Sequence, residues 1–366
     1  MTTEPPASTT SQSATPPARR LLTNLLPRVL ASLLIAGGFI WLMSRGGLPM
    51  LPPRAELARL PLWSLAAYFG IQVVSTVLRT YRWVHLLRPI APQISAVRVM
   101  GIGSVGIGAV FLAPLRSGEI VRPYLAARDG DVSFMQAAGT VGAERVIDGL
   151  VLTLFTFVAL TLAAPVSPLP TSLGDLPLPV AALPGIVYTA LLVFAGAFAA
   201  MTAFYVAREQ ARRVTSRLVG LVSERGARWA SSVLERVADG LSFLPSRKPL
   251  FAFFRDTIGY WLLGIIAQWL LLHEAGLPAS LAQTCTTVGI LNLGALVPAG
   301  PGMFGAYQIA GFSALALFFP LAQVRLAGGV VIFITYATQL LLNSAQLGLG
   351  LWLLARFPRT RPATSG

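Results

Sequence analysis

Charge is scarce in this chain. Asp, Glu, Lys and Arg make up 11% of its 366 residues, 55% are hydrophobic, and the mean hydropathy is +0.69. Soluble domains carry about 25% charged residues, so the composition excludes an ordinary soluble protein. Lys248 is the single lysine, and only 14 acidic residues face 28 basic ones. Cys285 is the only cysteine; a disulfide within the chain is excluded, and its apolar surroundings give it a packing role. His85 and His273 are too few and too far apart to suggest a metal site. No Walker loop, nucleophile elbow or zinc motif occurs, so coupling to ATP would need a second protein. The expectation is a protein with no cofactor and no metal, and not an enzyme.

What the chain has instead is long apolar runs. They lie at about Leu25–Ser44, Pro61–Leu78, Met135–Ala164, Pro184–Ala207, Phe251–Leu272 and Leu326–Ala355. A membrane-crossing helix needs about 20 such residues. Two further apolar stretches are interrupted. Val97–Leu115 holds Gly101, Gly103, Gly106, Gly108 and Pro114, and Leu281–Phe319 holds Pro298, Gly300, Pro301, Gly302 and Gly305.

Basic residues set the orientation. Arg19, Arg20 and Arg28 place the N-terminus in the cytoplasm, and Arg79, Arg82, Arg88 and Arg98 place the loop after the second run there too. The segment 165–183 has no basic residue and lies outside. Arg208–Lys248, basic and amphipathic, lies inside with the C-terminal tail. All basic residues fall on the inner side except Arg45, Arg54, Arg59 and Arg325, with Arg145 at the entry to a span. This parity leaves both ends of each interrupted stretch on one side. The expected fold is therefore an all-α polytopic membrane protein with about six full transmembrane helices. Two Gly/Pro-broken re-entrant hairpins enter from opposite faces, the glycines of the first supply its turn, and both termini are cytoplasmic. Irregular backbone at membrane depth must then be covered by protein or line a wet cavity. Residues 1–20 are expected to form a disordered tail, 21–355 the membrane domain, with 208–248 lying on anionic headgroups, and 356–366 a second tail.

The excess of basic residues fits such flanks. Nucleic acid is not expected as a partner, because no basic stripe with interleaved aromatics occurs away from them. Gly101-x-Gly103-x-x-Gly106 matches a dinucleotide fingerprint only in letters; no strand precedes it and it lies within an apolar stretch.

The remaining charge is clustered. Arg116, Glu119 and Arg122 follow the first interrupted stretch, and Glu144, Arg145 and Asp148 open the next span. Charge at membrane depth is costly and marks function or a paired network. Glu119 and Arg122 are three apart and would share a helix face, so Glu119 could hold Arg122. Glu144 and Asp148 are four apart and would repel unless a cation sits between them; Arg116 or Arg122 is the expected partner, with Arg145 pointing elsewhere. Two roles stay open, direct contact with a substrate or an ion-pair network fixing the hairpin to the span. The break around Pro298–Gly302 could expose amides to an anion or be a plain tight turn.

These elements resemble the lysylphosphatidylglycerol synthase transmembrane-region family, also called flippase-like domain proteins. Arg79-Thr-Tyr-Arg82-Trp83 with Leu86-Leu87 is similar to its R-x-x-R-W-x-x-L-L stretch. Pro114-Leu-Arg116-Ser-Gly118-Glu119 with Arg122 resembles P-x-R-x-G-E-x-x-R, and Glu144-Arg145-Val-Ile-Asp148 resembles E-R-x-x-D. Pro298-Ala-Gly300-Pro301-Gly302 with Gly305 resembles the family's C-terminal glycine/proline motif. The four motifs occur in family order across nearly the whole chain. Three positions depart: Val110-Phe111-Leu112 lacks an asparagine common before P-x-R, Met303 replaces a glycine, and Gln308 stands where glutamate is common. The resemblance implies a stand-alone membrane module without the family's aminoacyltransferase domain, set in the cytoplasmic membrane. It further implies a protein that binds and flips a phosphate-bearing lipid, either a phospholipid or a polyprenyl-phosphate-linked one. Arg79, Arg82, Arg116, Glu119, Arg122, Glu144, Arg145 and Asp148 are the candidates for the headgroup. An embedded enzyme on lipid-linked substrates, with Glu119, Glu144 or Asp148 as acid or base, is one alternative. A scaffold for a lipid-linked glycosyl or aminoacyl transferase is another. The partners that fit are a membrane lipid, a lipid-modifying enzyme and further copies of the chain.

Overall fold

The computed structural model describes residues 17–113, 118–129, 132–173, 175–176, 180–220, 223–297 and 299–357. Arg116 and Pro298, both expected in the site, lie outside the described residues, as do 1–16 and 358–366. The described residues are helical, with one isolated bridge between Leu173 and Leu176. In chain order the helices are α1 Pro17–Arg45, α2 Arg54–Leu57, α3 Leu62–Tyr81, α4 Trp83–Leu87, α5 Ala96–Leu112 and α6 Val121–Arg128. They continue with α7 Phe134–Leu162, α8 Leu183–Val206, α9 Arg208–Gly220, α10 Glu224–Gly240 and α11 Arg247–Glu274. The last are α12 Leu281–Gly294, α13 Ala306–Ala316, α14 Leu321–Gln323 and α15 Gly329–Arg356.

Among the described residues, five stretches are long and apolar enough to cross a membrane: α3 with α4, α7, α8, α11, and α14 through α15. α1, at 29 residues, contains the shorter apolar stretch Leu33–Arg45. It begins at Pro17, so Ala18, Arg19 and Arg20 are helical rather than part of the expected tail. The α8 helix shows what lipid contact does to composition. Its mean window hydropathy is 2.0, and Ile186, Leu192 and Val193 are exposed on the protein surface. Leaving leucine and valine outside costs nothing where the solvent is hydrocarbon.

The first interrupted stretch is not itself a hairpin but one helix, α5, which forms a hairpin with α6 beyond it; the second forms a hairpin of α12 and α13. In the first, α5 and α6 run antiparallel: Gly106 of α5 meets the Arg122 side chain of α6, and Gly118 meets the backbone of Ala109 and Val110. In the second, Gly294 of α12 meets Ala310 of α13, and Gly311 of α13 meets Leu291 of α12. The two tips converge, where Val110, Phe111 and Ala113 of the first and Val297, Ala299, Gly300 and Met303 of the second line one small gap. Tyr336 of α15 stacks with Phe111, Phe304 and Tyr307 at this junction. α1 closes over the second tip, with Ala36 against Gly300 and Phe39 against Gly305.

The glycines of α5 do not make the turn expected of them. α5 is one continuous helix with Ser95 as its N-cap, and the chain reverses only after Leu112. A helix satisfies its own backbone even in a bilayer, so nothing forces a break at glycine. The missing side chains serve close packing instead. A Cβ on Gly108 would lie 2.7 Å from the Asn343 carbonyl oxygen of α15, and one on Gly101 3.1 Å from Leu354. One on Gly106 would sit 1.8 Å from Cγ of Arg122. Gly101, Gly103 and Gly106 are thus a packing seam, which accounts for their chance match to a nucleotide motif.

α9 and α10 form the amphipathic segment, packed on each other and through α10 on α7. Val214, Leu218 and Trp229 are exposed beside Arg212, Arg213 and Arg228. Hydrogen bonds from Arg212 and Arg213 hold the Glu209 carboxyl below the usual carboxylate range.

Candidate functional site

The site is built on α7. This helix starts at a capping box, in which the Ser133 hydroxyl accepts from the Gln136 amide and the Gln136 side chain accepts from the Ser133 amide. One turn apart near its middle stand Glu144 and Asp148, on one face as their spacing required. The cation between them is Arg82, which the spacing did not name. Its guanidinium bridges them: Nη2 donates to Asp148 Oδ2 at 2.6 Å and to Glu144 Oε1 at 3.2 Å, while Nη1 bonds Asp148 Oδ1. Nη1 also donates to the Thr257 hydroxyl of α11 at 2.9 Å, and Nε to the Arg79 carbonyl at 3.2 Å. Every N–H group of the fork is directed at an acceptor or an aromatic wall, with Phe253 and Tyr260 ring centres 5.1 and 4.6 Å away.

Arg122 takes the rest of Glu144. Its Nη2 and Nη1 donate to Oε2 and Oε1 at 2.6 and 3.1 Å, a two-pronged contact suited to the planar fork. It lies over the Trp83 ring at 4.3 Å, and the Trp83 indole is fixed by donating to Thr140. Glu119 does not hold Arg122. It sits in the turn before α6 and approaches Arg145 Nε at 3.6 Å. The hairpin's helix α6 starts two residues later than Glu119, so the three-residue helical spacing did not apply to this pair.

Arg82, Glu144 and Arg122 are all at most 1% exposed. The four groups Arg82, Arg122, Glu144 and Asp148 carry two charges of each sign and form a closed network joining α3–α4, α6, α7 and α11. A buried charge needs such compensation.

Beside the network lies a cavity of about 410 Å³, bounded by α3, α5, α7, α8, α11, α12, α15 and the two hairpin tips. Arg79, Glu119, Arg145 and Asp148 line it; Arg82, Arg122 and Glu144 do not. Asp148 is engaged by Arg82 through both oxygens. Arg79 has no carboxylate within ion-pair distance among the described residues. Nε and Nη2 of Arg145 are buried and have no hydrogen-bond partner among them either. The network therefore consumes its own charge, Arg145 is left beside Glu119, and Arg79 is left lining the cavity without a carboxylate partner among the described residues. The eight candidates divide into an enclosed set (Arg82, Arg122, Glu144), a lining set (Arg79, Glu119, Arg145, Asp148) and Arg116, outside the described residues.

The second tip supplies a wall. Gly302 and Gly305 have φ of +70° and +94°, which only glycine adopts freely, and Met303 has φ +60°. Met303, which stands where the family commonly has glycine, is the only non-glycine at positive φ among the described residues, and it lines the cavity. Gln308 caps α13: its Oε1 accepts from the Gly305 amide at 2.6 Å. Glutamate or glutamine makes this contact equally well, so the substitution keeps the cap and removes a charge. That amide is thus occupied.

The lysylphosphatidylglycerol synthase TM region family matches residues 29–342. The chain belongs to this family. No curated protein and no solved structure matches it. The match runs from α1 into α15 and includes all the motif residues quoted above. It makes the protein a multi-pass membrane protein, consistent with its five apolar spans. The geometry gives the motifs separate tasks. From the R-x-x-R-W stretch, Arg79 faces the cavity, Arg82 the network, and Trp83 carries Arg122. From E-R-x-x-D, Glu144 and Asp148 face the network and Arg145 turns to Glu119.

Sequence reasoning missed several contributors. Thr257, Phe253 and Tyr260 surround Arg82 but look like ordinary residues of an apolar helix. His85, held by Asp256 at 2.9 Å, was passed over as isolated. The cavity's neutral polar groups had a legible signal: Thr335, Gln339 and Asn343 recur at four-residue spacing in an apolar span.

Proposed function

We propose that this protein binds a phosphate-bearing lipid in the cavity and carries its headgroup across the cytoplasmic membrane. Arg79 and Arg145 are the headgroup contacts. The supporting observation is that Arg79 lines the cavity with no carboxylate partner among the described residues, and Arg145 lines it beside Glu119, while Arg82, Arg122, Glu144 and Asp148 are paired with one another. An isolated cation in a low-dielectric site is costly, and a phosphate oxygen is the complement that a guanidinium fork fits best. Glu119 holds Arg145 in place from the hairpin turn. Arg82, Arg122 and Glu144 position the wall that carries these groups.

The two hairpins are re-entrant in this reading, entering from opposite faces and meeting tip to tip at Tyr336. The cytoplasmic side holds α9, α10 and both termini, in keeping with the distribution of arginines. Movement of the tips past each other would open the cavity to one face at a time.

The test is a translocation assay in proteoliposomes with a fluorescent phospholipid, read by chemical quenching of the outer leaflet. Wild-type protein should quench well beyond the half expected of a static bilayer, and Arg79→Gln should return to it. Protein-free behaviour from wild type in vesicles of several anionic lipids would refute transport.

A further inference from the structure

The cavity's charged end occupies only part of it. Besides Arg79 and Arg145 the walls carry carboxamides: Gln72 on α3, Gln268 on α11, Asn292 on α12, and Gln339 and Asn343 on α15. Each is tethered through one end of its amide. Gln72 donates to Tyr68 at 3.1 Å, Gln268 accepts from Thr335 at 3.2 Å, Asn292 donates to the Val288 carbonyl at 2.8 Å, and Asn343 donates to the Gln339 carbonyl at 2.7 Å. Gln339 accepts from the same Asn343 amide at 3.3 Å. The opposite end of each amide has no partner among the described residues. Gln72, Gln268 and Asn343 are at most 7% exposed.

A bundle in a membrane gains nothing from five amides with half their capacity unspent, since an unsatisfied polar group there costs free energy. Held by one end and open at the other, they present both donors and acceptors. Such a surface suits a ligand that is neutral and rich in hydroxyl groups. The helical rise separates Gln72 from Arg79 by on the order of 10 Å, the length of a sugar joined to a phosphate. A volume of about 410 Å³ falls within the range of small-molecule sites, roughly 300–1,000 Å³.

We propose that the lipid is glycosylated: its phosphate lies at Arg79 and Arg145, and a sugar attached to that phosphate lies among Gln72, Gln268, Gln339 and Asn343. This rests on the phosphate-lipid reading above and narrows it. The pairing of arginines with a carboxamide wall distinguishes a phosphosugar from a bare phosphate, which would leave the amides unused, and from a neutral glycolipid, which would leave Arg79 without a counter-charge.

The experiment is native mass spectrometry of the purified full chain titrated with farnesyl phosphate, farnesyl phosphoglucose and phosphatidylglycerol. The first two share chain and phosphate and differ only in the sugar. The expected result is binding of farnesyl phosphoglucose at least tenfold tighter than farnesyl phosphate. Gln339→Leu, or Gln268→Leu should the first variant unfold, is expected to bring the two affinities together. Arg79→Gln is expected to weaken both. Equal affinity of wild type for farnesyl phosphate and farnesyl phosphoglucose overturns the sugar site and leaves phosphate-lipid binding standing. Binding of none of the three overturns the phosphate-lipid reading itself.

Discussion

Removing Glu144 should damage this protein more than any other single carboxylate change. The residue is fully buried and accepts both prongs of Arg122 and one bond from Arg82. Glu144→Leu leaves Arg122, 1% exposed, with no counter-charge among the described residues, whereas Arg82 keeps Asp148. Breaking one side of a buried pair costs about 3–5 kcal/mol. At about 1.4 kcal/mol per tenfold, that raises the unfolded fraction by roughly two to more than three powers of ten. Arg122→Met should cost a similar amount, because one Glu144 oxygen is then left with no bond and the other with only the Arg82 contact. The pair changed together tells most. With both charges gone, the methionine can lie on Trp83 where the guanidinium lay, and replacing a buried pair by apolar groups is often close to neutral. The double variant should therefore be more stable than either single one, with a coupling of at least 2 kcal/mol. The assay is equilibrium unfolding in lipid nanodiscs by steric trapping, run on all four proteins. Additive single effects, or singles within about 1 kcal/mol of wild type, would refute the closed network.

Other outcomes follow from particular contacts. Gly106→Ala puts a methyl group 1.8 Å from Arg122 Cγ; it should cost about 1–3 kcal/mol or more and lower the thermal midpoint, and an unchanged midpoint would place Arg122 elsewhere. Gly302→Ala combines a positive φ of +70° with an approach of 2.9 Å to the Tyr336 hydroxyl, so a loss of about 1–2 kcal/mol is expected, and Gly305→Ala should be worse because Phe39 is 2.1 Å away. Gln308→Glu keeps the Gly305 cap but buries a carboxylate with no cationic partner among the described residues, so it should cost about 1–3 kcal/mol or more and lower the thermal midpoint; a variant as stable as wild type would show that a cation reaches that position.

Much of this was legible in the sequence, and the limits were physical. The apolar runs and arginine flanks located the spans because the bilayer imposes one length and one charge asymmetry on all such proteins. The hairpin tip at Gly300–Gly305 was visible because Gly302 and Gly305 hold positive φ, which favours glycine. The glycines of α5 misled, since a glycine packing seam and a glycine turn have the same letters; only the partner, here α15 and Arg122, tells them apart. The spacing of Glu144 and Asp148 announced a bridging cation but could not say which arginine would come. Arg82 lies 62 residues before Glu144, and that closure depends on α3 and α11 packing side by side. Nor could motif membership separate Arg82 from Arg79. They are three residues apart, yet one is enclosed and the other faces the cavity.

The central claim is that Arg79 and Arg145 form the headgroup site. It is tested most directly by lipid retention after gentle extraction, read by native mass spectrometry on wild type beside Arg79→Gln/Arg145→Gln. The account predicts a phosphate-bearing lipid held by wild type and lost from a folded double variant. Equal retention by both would contradict it, and would leave the two arginines without the role their geometry gives them.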